Sequence, residues 1–185
     1  MASVQAMSEP IVPDTKNWTW VLERRCDDCG FDAATFYSSG TGPAVRDLSL
    51  RWQGVLARGD VTVRPRPDVW SPLEYACHVR DVFRLFDQRL ELMLTEDGPQ
   101  FANWDQDVTA VEYRYDLQDP AVVSSGLLAA ANALADRFDV VRDDQWNRPG
   151  FRSDGSAFNV ETLARYLMHD PVHHLWDVGA EVPTY

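Results

Sequence analysis

The chain has 185 residues, 45% of them apolar and 11% aromatic, with seven Trp; that is enough for a sizeable core in one domain and unlike a disordered chain. Its 17 Lys+Arg against 29 Asp+Glu leave a formal charge of −12, and without a basic run this charge repels both a phosphate backbone and an anionic membrane surface. Nucleic acid and membrane are therefore set aside as partners, and no apolar run reaches the roughly 18 residues of a transmembrane span.

Residues 1–17, MASVQAMSEPIVPDTKN, lack the basic and apolar regions of a secretory signal. They are expected to form a flexible leader before a single domain over residues 18–185 of a cytoplasmic protein. Cys26, Cys29 and Cys77 make an odd count with no export signal, which argues against a disulfide framework and turns attention to metal or redox roles. Cys26-Asp27-Asp28-Cys29-Gly30 has the spacing of half a zinc ribbon, but no second C-x-x-C completes it. Three readings stay open for the pair: a redox or metal role as a dithiol, a knuckle whose other ligands come from elsewhere, or two unremarkable thiols. The last is preferred, because the intervening aspartates disfavour thiolate.

Four segments then carry helical apolar spacing. The first begins near Thr41-Gly42-Pro43, presents Val45, Leu48, Trp52, Val55 and Leu56, and ends at Arg58-Gly59-Asp60. VTVRPRPDVW follows as a linker, since Arg-Pro-Arg-Pro cannot be helical. The second helix opens on a capping box, with Ser71 at the N-cap, Pro72 at N1 and Glu74 at N3, and presents Val79, Phe83, Phe86, Leu90 and Met93. It runs for about 24 residues, roughly 36 Å, before fraying at Glu96-Asp97-Gly98-Pro99. FANWDQDVTAVEYRYDLQ has no sustained periodicity and reads as a long crossover loop of the kind that lines a site. Trp104 and Tyr113 within it are candidates to close over a substrate. Asp119-Pro120 starts the third helix, with Val123, Leu127, Ala131, Leu134, Phe138 and Val141 as its stripe. After a break at Arg148-Pro149-Gly150, Asn159 caps the fourth, which carries Leu163, Tyr166 and Leu167. The expectation is an all-α, antiparallel four-helix bundle with a long crossover connection, and a site at its mouth.

The chain has four histidines, His78 in the second helix and His169, His173 and His174 in the fourth. His169 and His173 are four apart, so on a helix both imidazoles share one face and can chelate one ion. An isolated pair of this kind, lacking the Glu of the zinc-protease motif, is more often ordinary packing than a ligand set. Pro171 lies between them, removes one backbone donor and predicts a kink, with the helix and both imidazoles retained. Asp81 is the carboxylate closest in phase to His78, while Asp170 and Asp177 are acceptors able to orient imidazole N–H groups.

WSPLEYACHVRDV and YLMHDPVHHLWDV, together with the chain length and four helices, resemble the DinB-like superfamily and within it the thiol S-transferase-like branch, over roughly residues 18–178. The resemblance implies a divalent metal, zinc first and nickel next, held by His78, His169 and His173. Asp81, Asp170 and the spare His174 would stand around these ligands, and Arg80, Trp104 and Tyr113 would contact substrate. It further implies that a low-molecular-weight thiol such as mycothiol or bacillithiol is activated on the metal and attacks a small electrophile, as a transferase or a thiol-dependent isomerase. Metal-dependent hydrolysis and a non-enzymatic metal or small-molecule binding module are the alternatives. A homodimer is expected on the same ground.

Overall fold

A computed structural model describes residues 11, 13 and 16–185, so most of the expected leader lies outside the described residues. Four long helices form the bundle: α1 (Thr41–Leu56), α2 (Pro72–Thr95), α4 (Pro120–Asp139) and α5 (Val160–Asp177). A fifth, short helix α3 (Gln106–Glu112) interrupts the crossover. The apolar stripes expected of α1, α2 and α4 are buried almost throughout, from Val45, Leu48 and Trp52 to Phe83, Leu90 and Met93 and to Val123, Leu127 and Leu134. Burial of such stripes, at roughly 25 cal/mol per Å² of apolar surface, is the main force holding the bundle. α4 packs between α1 and α2, and α5 closes the remaining side against the same two helices.

The helix ends follow from their caps. Ser71 Oγ accepts from the Glu74 backbone N–H while Glu74 Oε2 accepts from the Ser71 N–H at 2.8 Å, closing the expected box. The same Glu74 is ion-paired with Arg64 of the preceding linker, so the Arg-Pro-Arg-Pro stretch is tied to the start of α2. Asp119 caps α4 through Ala121 N–H at 2.8 Å, and Asn159 caps α5 through Thr162 N–H at 2.7 Å. α5 continues as one helix through Pro171. There the carbonyl of Pro171 also accepts the indole N–H of Trp52 at 3.3 Å.

Two regions differ from the sequence expectation. The crossover is not a structureless loop: Asp105 accepts from the N–H groups of Asp107 and Val108 and starts α3, and a 3-10 turn follows at Tyr115–Leu117. α3 contributes no buried residue, which is why its apolar periodicity was too weak to predict it. The break before α5 is a small three-stranded sheet in the order β1-β2-β3, with β1 (Gln100–Phe101) parallel to β2 (Pro149–Arg152) and β2 antiparallel to β3 (Ala157–Asn159). These strands are too short for alternation to register, although Asp154-Gly155 between them is a hairpin signal. β2 lies tight on the core at Gly150, where a Cβ would overlap the Phe101 ring and come within 2.8 Å of Met93 Cγ. Gly150→Ala is therefore expected to destabilise the fold by about 1–3 kcal/mol through overpacking. Thermal unfolding that leaves the midpoint unchanged would count against this close approach.

Candidate metal centre

Residues 169 and 173 share one face of α5, and residues 170 and 174 share the next, rotated by about 100°. Each face meets a different neighbour. His78, on the first turns of α2, joins Asp170 and His174; the N-terminal segment brings Cys26 and Cys29 to His169 and His173. In each set the donor atoms lie within 4.8 Å of one another, and these are the convergent sets found among the described residues. The three residues expected as one triad are thus not brought together. His169 and His173 converge, with ring centroids 5.0 Å apart, but His78 meets the ring of His174 edge to face instead, also at 5.0 Å. The reason is helix phase: α2 packs on the side of α5 that carries residues 170 and 174.

In the first set, His78 Nε2 lies 3.3 Å and His174 Nε2 3.9 Å from the same oxygen, Oδ2 of Asp170. Around a divalent ion with bonds of about 2.0–2.1 Å, neighbouring tetrahedral ligands stand about 3.3–3.4 Å apart; the His78–Asp170 separation has that spacing and the His174–Asp170 separation is wider. Asp170 Oδ1 is buried without a hydrogen-bond partner, as a carboxylate prepared for a cation would be. Burial pushes the Asp170 carboxyl up, but His78 and His174 outweigh it and hold the carboxyl well below the usual range. His174 Nδ1 is 2.7 Å from Asp177 Oδ2, the carboxylate–imidazole contact that fixes ring orientation and directs Nε2 towards Asp170. Trp104 stacks on His78 at 5.5 Å and Trp70 lies 5.4 Å from it on another side, locking that ring as well.

In the second set, all four side chains are buried. Burial, and then the neighbouring His173, lower His169 to about 4, and burial likewise lowers His173. Both imidazoles are therefore neutral at neutral pH and keep a lone pair for a ligand. Burial pushes the Cys29 thiol up to about 12.

The remaining sequence candidates fall into place around these sets. Trp104 lines the cleft beside the first. Asp170 and His174, expected to stand around the ligands, are themselves members of the donor set. Asp81 is not a neighbour of the site's imidazoles; its carboxylate is held by Arg80 and Arg84 at 2.9 Å and by the Tyr115 hydroxyl at 2.6 Å. Arg80 is turned to that ion pair and to Gln118 at 2.7 Å rather than to substrate. Tyr113 is 64% exposed and lies away from the cleft walls. Cys77 is in the core, where burial raises its thiol to about 12.

The cleft, about 470 Å³, is walled by Asp170 and His174 of the first set and by His169 and His173 of the second, together with Trp104, Arg89, Arg152 and Tyr166. The two arginines were missed in the sequence. Arg89 is eleven residues beyond His78 on α2, which is three helical turns and hence the same face, about 16 Å further along the axis. Its Nε is buried without a partner, and its guanidinium lies over Phe86 and Phe101 at 5.5 and 5.3 Å. Burial, then the charge of Arg152, lower Arg89 to about 10, so it remains a cation at neutral pH. The hairpin delivers Arg152, which donates to the Tyr166 hydroxyl at 3.2 Å.

Fold and site together define a four-helix-bundle protein with a histidine–carboxylate donor set at the mouth of the bundle, beside a cleft of mixed charge. A profile of the family described as DinB superfamily matches residues 44–178, and the chain belongs to that superfamily. The chain is also similar in structure to a protein from Bacillus subtilis, YfiT, described as a probable metal-dependent hydrolase with an unusual four-helix bundle topology. The two share 15% identity at a TM-score of 0.67, over 78% of this chain and 89% of that one, a likeness of fold. No curated protein sequence matches the chain. Among the described residues, no helix is long and apolar enough to cross a membrane.

Proposed function

We propose that the chain is a metal-dependent enzyme in which His78, Asp170 and His174 hold a divalent cation, zinc first, and a low-molecular-weight thiol is the nucleophile. The observation that carries this reading is the convergence of two imidazoles and one carboxylate at the end of a cleft, three protein ligands that leave a coordination position for another molecule. A cation bound there lowers the pKa of a thiol or water in that position towards neutrality. Asp177 holds the His174 ring in orientation, and Trp104 and Trp70 exclude water from the flanks of His78. Arg89, about 16 Å along α2 from His78 and with its Nε unpartnered, suits an anionic group on the thiol or on the electrophile. Thiol S-transfer or thiol-dependent isomerisation follows from the resemblance. Hydrolysis is the second reading, favoured by what is said of YfiT.

The two separate on thiol dependence. The zinc-loaded chain is expected to catalyse conjugation of mycothiol to chlorodinitrobenzene as a generic electrophile, and His78→Ala to lose that activity. Metal-dependent cleavage of p-nitrophenyl acetate without added thiol, and no conjugation, would move the assignment to the hydrolase. Absence of both activities in the loaded protein supports the binding module.

A further inference from the structure

We propose that Cys26, Cys29, His169 and His173 form a second, closed zinc site that staples the N-terminal segment to α5 alongside the open one. The four donors come from two parts of the chain more than a hundred residues apart, yet they converge and all four are buried. Cys26 Sγ stands 3.6 Å from His173 Nδ1. Tetrahedral zinc with Zn–S of about 2.3 Å and Zn–N of about 2.0–2.1 Å separates a sulfur and a nitrogen ligand by about 3.5–3.6 Å. His169, 4% exposed, buries Nε2 with no hydrogen-bond partner. Two imidazoles and two thiols in one buried cluster present four donor atoms that a soft divalent cation would engage together.

The loop around the cysteines has the shape such a site requires. The Gly30 N–H donates to the Cys26 carbonyl at 3.0 Å and the Cys26 N–H to the Phe31 carbonyl at 2.9 Å, folding C-x-x-C-G into a knuckle. Gly30 sits at φ +77°, a conformation that a side chain would strain. Four protein ligands leave no position for substrate, so this site is structural. It also has structural work to do: between Trp18 and Gly40 the described chain has only two short 3-10 turns, and the cysteines precede the residues that match the family profile. Lys16 and Trp18 of the same segment line the cleft, so the staple would fix one of its walls.

The test uses the full chain reconstituted with zinc, or with cobalt(II) as a spectroscopic substitute. Two equivalents of metal are expected, with thiolate-to-cobalt charge-transfer absorption in the wild type and in His78→Ala. Cys26→Ser/Cys29→Ser is expected to lose that absorption and one equivalent. Should the double variant fail to fold, titration of the wild-type zinc protein with an organomercurial is expected to release one equivalent of zinc as two thiols react. A loaded wild type without thiolate absorption, full occupancy in the double variant, or isolation of the chain as a Cys26–Cys29 disulfide overturns the proposal. Retention of both equivalents by His78→Ala, with the thiolate band intact, defeats the open-site reading instead and leaves the closed site standing.

Discussion

Asp170→Ala is expected to abolish turnover and to weaken cation binding at the open site by well over about 100-fold, whereas Asp177→Asn falls in the roughly 10- to 100-fold range of a neighbour that only orients a ligand. The two aspartates are seven residues, about two helical turns, apart and differ in role. Asp170 Oδ2 is shared by the Nε2 atoms of His78 and His174, and its other oxygen is buried without a partner. Asp177 touches the far nitrogen of His174. Removing Asp170 takes away one of three donors and the only negative charge in the set, and two neutral imidazoles alone hold a divalent ion poorly. Removing the charge of Asp177 leaves all three donors in place and loosens one ring. Affinity is read by competition with a chromophoric chelator, following the equivalent that His78→Ala loses. Equal losses in the two variants would contradict the assignment of Asp170 as a ligand.

The largest effect on stability is expected from Trp52→Ala, at about 3–5 kcal/mol. Trp52 is fully buried in α1, and its indole N–H reaches across the core to the carbonyl of Pro171 on α5. Truncation opens a cavity in the core and removes one bond between α1 and the helix that carries three of the four histidines. A loss of this size corresponds to a Tm lowered by roughly 10 °C or more in a chain of this length. Trp52→Phe separates the two contributions: it keeps most of the ring and forfeits the hydrogen bond, at about 1–2 kcal/mol. Urea unfolding of the two variants measures both, and a Trp52→Ala midpoint near that of the wild type would show that the site collapses around the missing ring.

The bundle was legible because its helices are amphipathic and punctuated. Ser71-Pro72-Glu74, Asp119-Pro120 and Asn159 each mark a start, and the stripes on α1, α2 and α4 are long enough for period to decide. α3 and the hairpin were not, since seven polar-faced residues and strands of two to four residues carry no periodic signal of that strength. The candidate donor residues were visible as residue types. Their grouping was not, because two pairs spaced four apart overlap in His169-Asp170-Pro171-Val172-His173-His174 and only tertiary packing tells which pair faces α2. Cys26 and Cys29 required ligands from elsewhere, and no local pattern points to a helix about 140 residues downstream.

That overlap has a further consequence for how this chain can vary. Within six positions of α5, odd-numbered and even-numbered imidazole or carboxylate donors answer to different neighbours, although all four border one cleft. A deletion or insertion of one residue upstream in α5 would turn both pairs by about 100° at once and disperse both donor sets together. Single substitutions are coupled too, because the rings of His173 and His174 lie 6.0 Å apart, inside the distance at which mutational effects cease to add. The two donor pairs are thus inherited as one stretch of helix, and a change in either is felt by the other.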